Sequence, residues 1–491
     1  MEKVYQAVDG LVSYAKKYLG LDERDEVFAR NTVFSILGLE SYKDEKYDGV
    51  LPTVPDKLLK ELDEACIDAG LFGIYDCARY NDEIMGALMM PPSKVIDTFN
   101  DVKAKEGSEK ATEWLYDYSV KSDYVKKSAL DANPRFEAEG LIVTINKSKP
   151  EFRDPKKAAS GNSVKGGYPK CTICRENEGF SGRNKRTLRT VDITLGGKKW
   201  FWQFSPYGYF YQHGIAVNTE HTPMHVDKNT FVNLMDFVDV YPHYFIGCNA
   251  PLPRIGGSVL AHDHYQGGGE VLPLHKAPPA VSLKWSDYPE AEISVLDWPG
   301  TAVRVKSADR NAVTEVSEII RKGWVNYENA SIGIIPRSEE GEHSAISPTV
   351  VKRDGKYEMT IILRNNITTE EYPDGVFHAH PEFHTIKKES IGLIEAQGLF
   401  ILPGRLETQL AEIENLIVNG LPLEGDAREF ELVYEEMKTR CGENPTAEQV
   451  SEEMKKELGS ICKRILGNTA VFKTQPETVK FLKGLGFTCN D

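Results

Sequence analysis

The chain has 491 residues, a formal net charge of −15 and 41 % hydrophobic residues. That length exceeds what one core usually accommodates and predicts two or three packed units. The charge argues against nucleic-acid binding as a main function, and no segment approaches the run of about 20 apolar residues that spans a bilayer. The opening stretch, Met1 to Gly10, lacks a signal-peptide apolar region, so a cytoplasmic location with reduced thiols is expected for the eight cysteines.

Val4, Val8, Leu11, Ala15 and Tyr18 recur at helical spacing, with Gly20 as the stop. Residues 23–37, 55–68 and 93–104 read as further helices, the last opening after Pro91-Pro92. At Gly140 the pattern changes to β-rich, with Leu141–Ile145 as a strand. Lys147–Lys170 is crowded with Lys, Pro, Gly and Ser and reads as a basic loop able to close over a phosphate. It ends in Cys171-Thr172-Ile173-Cys174. Such a pair is a metal knuckle, a redox pair or chance. The redox reading is weakest, because no thioredoxin-like context surrounds it. A tetrahedral zinc needs two more ligands, and without a second Cys-x-x-Cys they must be histidines. All eleven histidines fall between His213 and His384, so histidine chemistry is confined to the middle of the chain.

Three aromatic runs, Thr190–Leu195, Trp200–Phe204 and Tyr207–Tyr211, read as β-type. Asp227–Asp239 reads as a helix and Tyr244–Asn249 as a strand, after which Pro251 and Pro253 turn the chain. The next stretch, residues 256–270, carries His262, His264 and Gln266 at alternate positions between glycine clusters. If Val259–Gln266 is extended, those three side chains share one face and Asp263 and Tyr265 take the other. A neutral imidazole can attack phosphorus, and a neighbouring amide can hold a phosphate oxygen without adding charge. Residues 293–297 and 302–306 follow as paired strands, 308–322 as a helix and 357–363 as a strand, repeating the sheet-plus-helix order. A second histidine cluster, His378, His380 and His384, precedes Lys387-Lys388 and Ile391–Glu395. After Pro403 the chain returns to helices, with capping patterns at Thr446/Gln449 and Thr474/Glu477.

The segment Ser258-Val259-Leu260-Ala261-His262-Asp263-His264-Tyr265-Gln266-Gly267-Gly268 resembles the active-site segment of galactose-1-phosphate uridylyltransferases. The likeness is to the longer form found in many Gram-positive bacteria, within the histidine-triad superfamily. In the better-known branch the motif reads His-Pro-His-Gly-Gln, so Asp263 stands where that branch has proline. The resemblance covers roughly residues 140–405. It implies His264 as nucleophile and Gln266 as phosphate partner. It implies a structural zinc on Cys171, Cys174, His221 and His262, and no organic cofactor. Asn249 and Ser258 become candidates for phosphate contacts, Lys388 for another, and Glu395 for sugar hydroxyls. Ser258, and the spacing between Lys388 and Glu395, each differ by one residue from that branch. His378 and His380 are candidates for a second metal site, supported by His384.

The expected fold is α+β, a duplicated histidine-triad-like antiparallel sheet core with helical ends. The expected regions are 1–135 (helical), 136–300 (first half, with the nucleophile), 301–405 (second half) and 406–491 (helical). The expected activity is UMP exchange between UDP-glucose and galactose 1-phosphate by a homodimer, with UDP-galactose and hexose 1-phosphates as partners and no role for nucleic acid or membrane. Two rivals stand beside it. One is another nucleotidyltransferase, phosphorylase or hydrolase of the superfamily, although Gln266 occupies the place where its hydrolases carry a third histidine. The other is a zinc-stabilised binding module without catalysis.

Overall fold

The computed structural model describes residues 1–147, 167–257 and 259–489. Ser258 and residues 148–166 of the basic segment Lys147–Lys170 lie outside them. Eleven strands form one antiparallel sheet built from two five-strand units of the same topology. In the first unit, β3 (Val191–Leu195), β4 (Lys198–Phe204) and β5 (Gly214–Asn218) run as a meander. The chain then crosses by the helix Lys228–Val240 to β6 (Phe245–Gly247) and β7 (His264–Gly268), and β7 inserts between β5 and β6. In the second unit, β8 (Pro279–Lys284), β9 (Glu292–Leu296) and β10 (Ala302–Ser307) form the meander. The helix Arg310–Val325 and a small hairpin, β11 (Arg337–Ser338) and β12 (Gly341–Glu342), lead to β13 (Ser344–Arg353) and β14 (Lys356–Asn365). Here β14 inserts between β10 and β13. The units meet edge to edge through β6 and β13, pairing Gly247 with Thr349 and Ile246 with Val350. The duplicated antiparallel core read from the sequence is therefore present as topology.

Both crossover helices cover the same face of the sheet, where they also touch each other. Each begins on a side-chain cap: Asp227 accepts from the N–H groups of Asn229 and Thr230, and Asp309 from that of Asn311. Val313, Val316, Ile320 and Trp324 recur at helical spacing and are fully buried against the sheet. The N-terminal helices extend this core. Glu2–Tyr18 buries Val4, Val8, Leu11 and Ala15 and stops ahead of Gly20 at φ +73°.

A second, three-stranded sheet joins β1 (Arg135–Ala138) and β2 (Leu141–Asn146) to β15 (Leu399–Pro403). The helices Leu406–Val418, Glu431–Cys441 and Ala447–Asn468 pack on it as a separate core. Thr446 and Thr474 cap their helices as read. The last strand, β16 (Thr488–Cys489), returns to the edge of the large sheet beside β8. Between the two sheets, Phe210, Phe245, Leu272, Ile394, Leu399 and Ile401 form an apolar layer. This layer covers the face of β6 and β7 opposite the crossover helices.

Two expectations fail. Tyr207–Tyr211 is a turn, not a strand. Pro206 and Gly208 interrupt the run, and Gln212 takes the left-handed conformation at φ 55°. The stretch Val259–Gln266 is extended only from His264 onward. Before it the chain bends, with His262 N–H on Val259 O and Asp263 N–H on Thr222 O. The bend sends the His262 ring away from the face that carries His264 and Gln266.

Candidate active site and metal centre

The loop ahead of β7 carries one side of a four-donor cluster. His262 Nδ1 lies 3.2 Å from Cys171 Sγ and 3.6 Å from Cys174 Sγ, and His221 Nδ1 lies 3.1 Å from Cys174 Sγ. All four donor atoms lie within 4.8 Å of one another. Among the described residues this is the one group of three or more His, Cys, Asp or Glu side chains so placed. Asn177 donates its amide to both cysteine carbonyls at 2.8 Å and holds the knuckle in shape. His262 Nε2–H donates to Asn218 O at 2.8 Å, which leaves the Nδ1 lone pair facing the thiols. Burial and the neighbouring Cys171 push the Cys174 thiol up to about 12, while burial pulls His262 down to about 4. Two thiols and two neutral imidazoles with converging lone pairs fit a tetrahedral zinc, whose charge would hold the sulfurs as thiolates.

Two residues beyond His262, His264 opens β7. Its Nδ1–H donates to His262 O at 2.7 Å, so the free lone pair is on Nε2. The ring is 5 % exposed, and burial holds its basicity below the ordinary histidine value. Gln266 follows on the same face of the strand, opposite Gly247 of β6 and Ile215 of β5. Its Oε1 accepts from His213 Nε2–H at 3.3 Å, a partner the sequence reading missed. Behind the strand, Tyr265 stacks on Trp200 with ring centroids 4.7 Å apart, and its hydroxyl meets Asn233. The glycines after the motif serve packing first: a Cβ at Gly267 would stand 2.2 Å from Phe245 O.

The other candidates divide into two groups. Continuing the β6–β7 register two residues past Gly247 brings Asn249 level with His264. Asn249 Oδ1 accepts from Leu393 N–H at 2.8 Å, and its buried Nδ2 has no partner among the described residues. Glu395 belongs to the same segment. It accepts from Gly392 N–H at 3.1 Å and pairs with Lys387 at 2.6 Å. Lys387, not Lys388, is the buried lysine: the Lys388 side chain is 41 % exposed, 3.9 Å from Asp374. Arg364, also unremarked in the sequence, is buried beside this segment and donates to Ile391 O at 2.7 Å. The second histidine cluster does not converge. His378 Nδ1 and His384 Nε2 both meet Ala379 O, and His380 Nε2 meets Val376 O. No described residue makes a third donor with His378 and His380.

The sequence models of the galactose-1-phosphate uridyl transferase N-terminal and C-terminal domains match residues 61–223 and 208–429. A galactose-1-phosphate uridylyltransferase of Bifidobacterium longum is 51 % identical over 99 % of both chains. One from Caldanaerobacter subterraneus is 36 % identical over 98 % of both. The crystal structure of yeast Ap4A phosphorylase matches at a TM-score of 0.34 and 13 % identity, covering 66 % of this chain and 91 % of that one. On the strength of the two domain matches and the full-length relatives, the chain belongs to the galactose-1-phosphate uridylyltransferase family.

Proposed function

We propose that the chain exchanges UMP between UDP-glucose and galactose 1-phosphate through a uridylyl-histidine on His264. The observation that carries the reading is the His264 Nδ1–H bond to His262 O at 2.7 Å. It fixes the tautomer, so a neutral ring presents an unprotonated Nε2 as nucleophile. Nε2 attacks the α-phosphorus of UDP-glucose. The bond from that phosphorus to the bridging oxygen breaks, and glucose 1-phosphate leaves with the electron pair. A phosphate oxygen of galactose 1-phosphate then attacks the same phosphorus, the N–P bond breaks, and UDP-galactose is released. The leaving group is already an anionic phosphate, so neither step needs a strong general acid. Through both steps Nδ1–H stays on the His262 carbonyl, which stabilises the positive charge the ring gains while it carries the nucleotide.

Gln266 donates its amide to the non-bridging oxygens. Asn249, with Nδ2 uncommitted, is assigned to the phosphates, as are Lys388 and Ser258. Glu395 is assigned to sugar hydroxyls. Cys171, Cys174, His221 and His262 would hold zinc with four protein ligands, which leaves no position for substrate and makes the metal a brace for the loop ahead of β7. His378 and His380 stay assigned to a second metal only if substrate rearranges their segment. No described helix is long and apolar enough to cross a membrane; we place the enzyme in the cytoplasm as a homodimer.

Mass spectrometry after mixing with UDP-glucose alone tests the reading. The expected result is one UMP added to the protein, mapped to His264 and lost in His264→Gly. Product formation only when both sugars are bound, with no adduct, would overturn it.

A further inference from the structure

The turn at residues 205–213 is tied to the end of β7 from several directions. Ser205 N–H donates to His213 O at 2.8 Å and His213 N–H to Phe210 O at 3.1 Å, which closes the turn on itself. Gly269 N–H donates to Tyr211 O at 3.1 Å, and Tyr211 N–H to Glu270. Arg135 pairs with Glu270 and donates to Tyr209 O at 3.2 Å. Gly268 permits this approach, since a Cβ there would stand 2.5 Å from Gln212 O. The strand that carries Gln266 and the turn that carries His213 are thus one rigid assembly.

Within it, the His213 ring is buried and held on both sides. Phe210 and Tyr209 flank it with ring centroids 4.5 and 5.2 Å away. Tyr209 N–H donates to His213 Nδ1 at 3.3 Å. That nitrogen is therefore the acceptor, and the ring proton resides on Nε2, which donates to Gln266 Oε1 at 3.3 Å. Burial holds the ring down to about 4, so it is neutral throughout the working range. A primary amide has two ends of similar shape, and only the NH₂ end can donate to a phosphate oxygen.

We propose that His213 is a positioning residue: a backbone N–H, relayed through its ring, locks the Gln266 carbonyl inward and turns the amide nitrogen toward the transferred phosphate. The proposal rests on the reading that Gln266 contacts that phosphate. Without the relay the amide can flip and present an oxygen to an anion, which removes a transition-state hydrogen bond and adds a repulsion.

The test uses the full-length chain and the single-turnover rate of UMP-adduct formation from UDP-glucose. Gln266→Ala is expected to slow it about a hundred- to a thousandfold, the usual effect of losing one preorganised donor. His213→Phe keeps the ring packing and removes the relay; a loss of about tenfold in rate is expected, with KM changed less than about twofold. Adding His213→Phe to Gln266→Ala should cost nothing more, because the relay then has nothing to orient. His213→Gln, whose amide can accept from Tyr209 and donate to Gln266, should recover most of the rate. A wild-type rate in His213→Phe, or losses that multiply in the double variant, would overturn the proposal while leaving the phosphate role of Gln266 in place. Should His213→Phe not fold, His213→Gln decides: a folded protein as slow as Gln266→Ala refutes the relay, and a near wild-type rate supports it. A wild-type rate in Gln266→Ala would remove the parent reading and the relay together.

Discussion

Replacing Lys387 tests the interior of the second half most sharply. Its side chain is 2 % exposed, and Nζ contacts Glu395 at 2.6 Å, Glu389 at 3.0 Å and Ile401 O at 3.0 Å. Lys387→Met keeps the aliphatic stem and removes the charge, which takes the 2.6 Å cation from Glu395 and a hydrogen-bond donor from Ile401 O. Breaking a buried ion pair from one side costs about 3–5 kcal/mol. Lys388→Met, at an exposed side chain with a loose partner, should stay within about 0.5 kcal/mol. The double variant Lys387→Met/Glu395→Gln should recover part of the loss, since it removes the carboxylate that lost its nearest cation. Urea unfolding followed by tryptophan fluorescence reads all three as midpoint shifts at a common slope. A loss below about 1 kcal/mol for Lys387→Met, or a larger loss at Lys388, would refute the pairing.

Two further outcomes follow from the site. Purified protein should carry about one zinc per chain by elemental analysis, and Cys174→Ser should lower both metal content and melting temperature; full metal content in that variant would exclude the cluster as the binding site. His213 and His275 are buried neutral, held down to about 4 and about 3, chiefly by burial. Below about pH 6.5 the unfolded chain takes up protons that the folded chain refuses, so their stability contribution is complete above that pH and falls as pH drops toward 4. The slope is at most about 1.4 kcal/mol per pH unit for each ring. Urea midpoints between pH 7.5 and 5 should therefore fall more steeply for wild type than for His213→Phe, and parallel curves would contradict the burial.

Much of the architecture was legible because it is written locally. The stripe Val4, Val8, Leu11 and Ala15 and the caps at Thr446 and Thr474 act within a few residues of themselves. The metal cluster was legible only through resemblance, since Cys174 and His221 are 47 positions apart. What stayed hidden depends on distant partners. The strand β13 contains Pro348, which cannot donate to a ladder, yet it sits in the middle of the sheet and gives its carbonyl to Cys248 N–H at 2.9 Å. The aromatic run at Tyr207 has β composition, but its conformation is set by Pro206, Gly208 and the ties to β7. Which of Lys387 and Lys388 is buried turns on which one the local backbone aims inward, and neighbouring identical residues cannot encode that. The histidines at 378, 380 and 384 show metal-like spacing, but one ring nitrogen of each lies against a main-chain carbonyl.

The seam between β6 and β13 sets how this molecule can be divided. Among the described residues two ladder pairs bridge it, with Cys248 N–H on Pro348 O beside them, and Gly247 has no room for a side chain, because a Cβ would stand 2.8 Å from Pro348 O and 2.9 Å from Leu393. Neither five-strand unit is self-sufficient: cut apart, each would bare a raw strand margin suited to indiscriminate pairing with other chains. Joined by so narrow a weld, the two units are bound to a common fate.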